Sequence, residues 1–531
     1  PLAFDGYVVG EVIGEVSSNI NSHSFELWVE PFLEMSGTQI KLKDEFYFDP
    51  NQQKVIAKAD GHFYTIDAGR EINVASYESA GNDVNFVDLV PLLPMFANIN
   101  TATPGEPIPY FAGTVTKEVD LSVDPLVNAL LLETGNSTGK SEIWDSNPNY
   151  TRAGTETIIT YSFVSDASNK FISDYTVPSP FNGSDSITEP TDLQKTSIEQ
   201  ALTEWSKVAN IKFEAVNGTG EETTDLVGTL RFGFTDHVNS SSVAWAYGPS
   251  TNAEGGDIWM RSLDPNSNNY AINSNYTQGT GYGFATLLHE IGHSLGLQHS
   301  FEVPTLPADF ENTKYSIMSY TSDDGSGGDG SSAFDVDDNY VISSTPMVLD
   351  IAAIQHLYGE AINAPTDNQY TFDAGTPFAE TIWDTGGVDT LDFSSFTTDL
   401  VIDLTPGASS TIPTDGWILV DNLALAKPTT NYTSADIGIE NVAVGSGNDQ
   451  ITGNDLANEF IFKGSFGEDV ITGFQLEIDK ISILKDDGTP YEEGDITHST
   501  DGGGLELAVG TNTIILIGFD ESHYDYSSII A

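Results

Sequence analysis

Thr286-Leu-Leu-His289-Glu290-Ile-Gly-His293-Ser-Leu-Gly296-Leu-Gln-His299 is the stretch from which the rest of the chain is read. It sets three imidazoles and one carboxylate at fixed offsets. On a helix of about 3.6 residues per turn, His289 and His293 stand one above the other on one face. Two neutral imidazoles a turn apart can share one zinc ion. Glu290, the next residue along, can reach water on that metal without ligating it. Gly296 can take a left-handed conformation that ends the helix and turns the chain, so that His299 returns as third ligand. Three protein ligands leave a coordination position open, which marks a catalytic rather than a structural zinc site. A helix with incidental histidines has no need of Gly296 and His299 at these offsets.

Composition bounds what surrounds this stretch. A chain of 531 residues is too long for one core, and about two to four domains are expected. With 39% hydrophobic and 11% aromatic residues it can bury them. The 79 acidic against 19 basic residues give a formal charge of −60, which argues against DNA, RNA or anionic lipid as partners of the bulk surface. Carboxylates that bind calcium and a surface suited to salty water together account for such acidity. Cysteine is absent, so disulfides, thiolate ligands and a cysteine nucleophile are excluded. Calcium can take over the cross-linking role. No apolar run reaches the roughly 18 residues of a membrane span, so no membrane insertion is expected. The first residues, Pro-Leu-Ala-Phe-Asp, show no basic segment or apolar core, so no signal peptide is expected there.

Along the chain, residues 1–120 read as short strands such as Phe25-Glu-Leu-Trp-Val and Lys54-Val-Ile-Ala-Lys, separated by turn signals. This segment is expected to be a β-rich accessory domain, with an inhibitory prodomain as the alternative. His23 and His62 are isolated surface residues in this reading, and Thr103-Pro-Gly-Glu-Pro-Ile-Pro marks the end of the segment. Residues 121–365 mix strands and helices. Ile198, Ala201, Leu202, Trp205 and Val208 fall at helical spacing, while Thr157-Ile-Ile-Thr-Tyr-Ser-Phe, Thr229-Leu-Arg-Phe-Gly-Phe, Val243-Ala-Trp-Ala-Tyr and Asp257-Ile-Trp-Met predict strands. A twisted mixed sheet carrying two long helices is expected. Residues 366–531 are rich in Gly, Asp and Asn with short β-branched runs, and predict an all-β domain.

At these residues the chain resembles the serralysin family, calcium-dependent zinc proteases within the metzincins. The pattern HExxHxxGxxH is matched at every fixed position. Nineteen residues after His299 stands Met318, within Ser316-Ile-Met318-Ser-Tyr320, which is similar to the family's Met-turn. The resemblance implies that Met318 lies beneath the zinc histidines and that Tyr320 swings between the metal and the transition state. On their own chemistry a methionine here reads as a core gap-filler and a tyrosine as a packed aromatic. Pro346-Met-Val-Leu-Asp-Ile-Ala-Ala-Ile-Gln-His-Leu-Tyr-Gly359 is similar to the helix that follows the Met-turn in that family. It has Pro at its start, an Ile351/Ile354/Leu357 stripe and a Gly stop. His356 on it is not expected to be a ligand, because three histidines already complete the set.

Three places in the last third resemble the glycine-rich nonapeptide that binds calcium in parallel β-rolls. They are Thr385-Gly-Gly-Val-Asp389-Thr-Leu, Gly445-Ser-Gly447-Asn-Asp449-Gln-Ile and Gly464-Ser-Phe-Gly467-Glu-Asp469-Val-Ile. Glycines permit tight turns with inward carbonyls, Asp gives a hard anionic oxygen, and the apolar residue two positions on packs the roll. A lone Gly-x-Asp reads as a hairpin turn, but three with this follow-up do not. The copies are scattered, so a degenerate β-roll with flanking β-sandwich strands is expected. The resemblance further carries an inter-domain calcium pair onto carbonyls of Ala364, Thr366, Asn368, Gly386 and Gly438 and carboxylates of Asp384, Asp389 and Glu440. Ala364 stands where the family has arginine, a tolerable change where only a carbonyl is required. The C-terminal Ser-Ile-Ile-Ala531 is similar to the tails of proteins exported by type I secretion, and the stretch before it also reads as a terminal strand.

Together these features predict a secreted, extracellular and monomeric zinc endopeptidase acting on proteins and peptides, with Zn2+ and Ca2+ as cofactors. Glu290 is the expected general base and Tyr320 the expected oxyanion partner. Ala244, Trp245 and Ala246 stand where the family has its edge strand, to which an extended peptide adds by main-chain pairing. The alternative is a cell-surface or matrix scaffold built on a protease-like domain.

Overall fold

A computed structural model describes strand segments within residues 2–66 and then residues 115–133, 139–145, 156–164, 187–215, 228–235, 244–250, 254–261, 282–321, 341–416, 419–427, 438–501 and 503–531. Chain contacts divide it into a unit over Pro1–Val115 and a larger one over Thr116–Asp145 and Glu156–Ala531. In the first unit, four strands from Leu2–Phe4 to Thr38–Lys41 form one antiparallel sheet. Glu45–Asp49, Lys54–Ala59 and His62–Ile66 form a second. The strand expected from Phe25 is described only from Val29 onward, and His23 and residues 103–109 lie outside the described residues.

The larger unit opens on the pair Val115–Asp120 and Lys140–Asp145. Its first sheet runs in the order Ile211–Ala215, Thr157–Phe163, Leu230–Thr235, Asp257–Arg261, Ala244–Ala246. The first four strands are parallel, with helix Asp192–Val208 in the crossover from Thr157–Phe163 to Ile211–Ala215, and the edge strand Ala244–Ala246 is antiparallel. Helix Asp192–Val208 starts at Thr191, whose hydroxyl accepts from Gln194 N while Gln194 reaches back to Thr191 N. This reciprocal cap satisfies two of the four amides that a helix start leaves open. The stripe Ile198, Ala201, Leu202, Trp205, Val208 is buried, as its spacing predicts. It joins one core with the sheet, the motif helix Tyr282–Ser294 and helix Val348–Tyr358. Ala379, Trp383, Leu419 and Ala426, from the chain beyond, complete that core. Lys314 Nζ bonds Asp421 at 3.0 Å across the same seam.

Beyond that seam Glu380–Ile382, Leu423–Leu425 and Ser409–Ser410 form a small sheet, and from Asn441 to Leu484 the strands alternate between two larger ones. One is wholly parallel, in the order Gln369–Thr371, Thr390–Asp392, Asn441–Val444, Glu459–Lys463, Lys480–Leu484. The other runs Val401–Asp403, Gln450–Thr452, Glu468–Thr472, Asn512–Ile517 in parallel and ends in two antiparallel strands. Leu391, Ile451 and Ile471, each two residues after an Asp, pack into the single core that both sheets share. Gly467 (φ +87°) can take its place because a Cβ there would strike the carbonyl of Gly447 in the turn stacked beneath it. The strand reading of the C-terminus holds for Asn512–Ile517, after which Tyr526–Ile529 forms a short helix and Ile530 bridges to Ile481.

Candidate active site

The motif helix is fixed mainly through its last turn. Gly296 has φ +109°, its N–H donates to His293 O at 3.0 Å, and Leu297 N donates to Gly292 O at 3.0 Å. This closes the helix with a left-handed glycine and satisfies two terminal carbonyls. Two more are met from outside: Trp144 Nε1 donates to Ser294 O at 2.7 Å and Tyr358 OH to Leu295 O at 2.9 Å. Beyond Gly296 the chain is strapped to residues 130–132, with Leu132 N on Gly296 O and Gln298 N on Leu130 O, both at 2.9 Å. That strap delivers His299 back over the helix.

The three imidazoles meet there, with one ligand atom from each lying within 4.8 Å of the others. In every ring Nδ1 is engaged: His289 with Ile317 O at 2.7 Å, His293 with Leu297 O at 2.9 Å, His299 with a Glu302 oxygen at 3.0 Å. Such partners set the tautomer that puts the proton on Nδ1 and turns the Nε2 lone pair inward. His289 Nε2 is buried and makes no hydrogen bond, and the Nε2 atoms of His293 and His299 face each other at 3.1 Å. Converging lone pairs are relieved by a shared cation. Burial also pushes the His289 imidazole down to about 4 and His293 well below the ordinary histidine value, so both stay neutral. Three imidazole nitrogen donors suit zinc.

Glu290 is buried beside them, and burial pushes its carboxyl up to about 8; its Oε2 has no hydrogen-bond partner. The Tyr320 hydroxyl lies 2.8 Å from His299 Nε2, and its ring stacks 5.5 Å from that of His289. Met318 is fully buried, and a Cβ on Gly292 would stand 2.9 Å from its sulfur, so the sulfur touches the helix between His289 and His293. Ala244–Ala246 lies at the end of the sheet order, with Trp245 opposite and stacked on Trp259 at 6.1 Å. Gly248, just beyond that strand, approaches His293 O. His356 is no part of the cluster; its Nε2 pairs with Asp120 O at 2.8 Å.

Two supporting carboxylates were not legible as such. Asp350 accepts from Ser316 Oγ at 2.6 Å, Ile317 N at 2.8 Å and Met347 N at 2.8 Å, tying the Met318 turn to the following helix. Glu311 accepts from Ser300 Oγ at 2.8 Å and Ser319 Oγ at 2.6 Å and also from Thr321, joining the chain after His299 to the same turn. An acid in the first turn after Pro346 is a weak cue for Asp350. Glu311 offers none.

The residues of the expected calcium pair are largely drawn together. Asn368 Nδ2 donates to the carbonyls of Ala364 (at 3.2 Å) and Thr366, and Asn368 N to Asp389 Oδ1 at 2.7 Å. Asp389 N donates to Glu440 Oε2 at 2.7 Å, Gly386 N to Asp384 Oδ1 at 3.0 Å, and Tyr370 OH to Asp384 Oδ2 at 2.6 Å. Gly438 lies two residues before Glu440 at φ +138°. In the stacked turns led by Gly445, Gly447 and Gly467, Asp449 Oδ1 accepts from Leu400 N and Asp469 Oδ1 from Asp449 N, both at 2.8 Å. Asp389, Asp449 and Asp469 each bury an Oδ2 with no hydrogen-bond partner. Burial pushes these carboxyls up to about 7, 6 and 8. Buried anionic oxygens without donors fit a hard cation.

Comparison with known proteins points the same way. Residues 181–328 match the family model described as Matrixin, and residues 349–491 match that described as Peptidase M10 serralysin C terminal. The chain is 35% identical over 292 residues to a serralysin of Photorhabdus luminescens, covering 50% of this chain and 54% of that one. It is 33% identical over 296 residues to a serralysin of Proteus mirabilis, covering 50% and 55%. It is 32% identical over 330 residues to the metallopeptidase AprA of Pseudomonas marginalis, covering 56% and 61%. The chain thus spans little more than half the length of these curated relatives.

Proposed function

We propose that this chain, whose residues 181–328 match Matrixin and 349–491 the serralysin C-terminal model, is a secreted zinc endopeptidase of serralysin type, stabilised by calcium. The observation that carries the reading is the convergence of three histidines, each held through Nδ1, beside a buried glutamate whose Oε2 has no hydrogen-bond partner. His289, His293 and His299 would hold the ion. Zinc, when bound, supplies Lewis acidity that lowers the pKa of a water molecule and polarises the scissile carbonyl. Glu290 takes the water's proton as it attacks and delivers it to the leaving amine. The Tyr320 hydroxyl, on the exposed side of the cluster, donates to the developing oxyanion. Ala244–Ala246 takes an extended peptide as an added strand.

In this reading residues 121–365 are the protease domain and residues 366–531 a degenerate calcium-binding roll. Residues 1–120 are an accessory or pro-segment. Calcium on Asp384 and Asp389, with Glu440 beside them, and in the turns of Asp449 and Asp469, would neutralise aspartates that otherwise resist ionisation. Export by a type I route and a monomeric state complete the proposal; no described helix is long and apolar enough to cross a membrane. Glu290→Gln is the test. It should retain zinc at wild-type stoichiometry while casein hydrolysis falls by at least about 100-fold. A variant that stays active removes Glu290 from the reaction.

A further inference from the structure

Beside His299 the surface carries side chains that this chemistry does not use. Phe301, 43% exposed, lays its ring on His299 with centroids 4.8 Å apart and planes inclined by 13°. Tyr320, equally exposed, closes the stack, its ring 5.0 Å from both Phe301 and His299. Val303 follows, 88% exposed. A side chain whose work was to prop His299 would gain by full burial, as Met318 does under the motif helix. Half-exposed aromatic and aliphatic groups continuous with a reaction centre are instead what an apolar ligand group covers.

We infer that Phe301 is a specificity-determining residue. With Val303 it forms an apolar plate beside His299 and Tyr320 that receives an aromatic or aliphatic side chain of the peptide substrate next to the scissile bond. The inference rests on the proposed peptidase reading and deepens it. Pairing along Ala244–Ala246 engages only main chain and gives affinity without sequence preference, so discrimination has to come from side-chain surfaces such as this one. Glu302, whose side chain is 49% exposed, lies between the two apolar residues and disfavours an acidic side chain at that subsite.

The test uses the zinc- and calcium-loaded full chain and peptides differing only in the residues flanking the cleaved bond, with Phe, Leu, Ala or Asp there. Wild type should prefer Phe and Leu over Ala and reject Asp. Phe301→Ala should lose about tenfold in kcat/KM on the Phe and Leu peptides but less than about twofold on the Ala peptide, and Phe301→Tyr should restore the preference. The same ratio should appear without turnover, in the Kd values of these peptides for Glu290→Gln with and without Phe301→Ala. An equal loss on every peptide would reduce Phe301 to a prop for His299, and an unchanged preference would remove it from the subsite; either overturns the inference alone. A loaded wild type that cuts none of the peptides overturns the peptidase reading as well.

Discussion

Replacing Asp350 with alanine should damage both stability and metal binding, although the residue touches no imidazole. Its carboxylate is the acceptor for two buried backbone amides, Ile317 N and Met347 N, each at 2.8 Å, and for the Ser316 hydroxyl at 2.6 Å. Each buried amide left without an acceptor costs about 1–3 kcal/mol, so Asp350→Ala should cost about 3–5 kcal/mol in all. The same step loosens the site, because the carbonyl of Ile317 is what holds His289 Nδ1 at 2.7 Å. Loss of a partner behind a metal-ligating histidine lowers metal affinity by roughly 10–100-fold. Asp350→Asn behaves differently: one oxygen can still accept from both amides while the amide nitrogen donates to Ser316 Oγ, for a loss of about 1 kcal/mol. Burial pushes the Asp350 carboxyl up to about 7. A folded pKa above the unfolded one gives stability that is fully present below the usual aspartate range and is lost as pH rises through about 7. The asparagine variant, which cannot ionise, should therefore close its deficit against wild type between about pH 4 and pH 7. Urea unfolding and zinc competition against a chromogenic chelator measure the two effects. An alanine variant unchanged in both, or an asparagine variant as damaged as alanine, would remove Asp350 from this role.

Gly292→Ala should destabilise by about 1–3 kcal/mol in thermal unfolding, since its Cβ would stand 2.9 Å from Met318 Sδ and 3.2 Å from the Trp205 ring. A thermal midpoint equal to wild type would mean that the Met318 sulfur yields freely. With calcium chelated, the thermal midpoint of the larger unit should fall as pH rises toward about 8, because the buried carboxyls of Asp389 and Asp469 are then forced to ionise. Saturating calcium should remove that slope, since the cation occupies the deprotonated form; a slope indifferent to calcium would separate these aspartates from cation binding.

What could be read in the sequence follows from what is local. The motif helix, its glycine stop and the return of His299 are encoded within fourteen residues. The buried stripe of helix Asp192–Val208 and the strands around it follow from periodicity alone. What could not be read is tertiary accounting of polar groups. Asp350 and Glu311 look like ordinary surface acids until the amides and hydroxyls they serve are brought to them from separate loops. Gly292 occupies a variable position of its motif, and only the approach of Met318 explains why a side chain is excluded there. Phe301 gave no periodic signal, since its significance lies in being left half exposed against His299. The seam joining Ala379, Trp383 and Leu419 to the first core likewise unites residues far apart in the chain.

Whether three histidines and Glu290 form a zinc-dependent peptidase is decided by hydrolysis of casein by the purified chain before and after zinc chelation. A zinc-dependent peptidase should hydrolyse casein, lose that activity to a zinc chelator and regain it with added zinc, with calcium held saturating throughout. Hydrolysis that ignores chelation, or a zinc-loaded chain that leaves casein intact, would contradict that assignment.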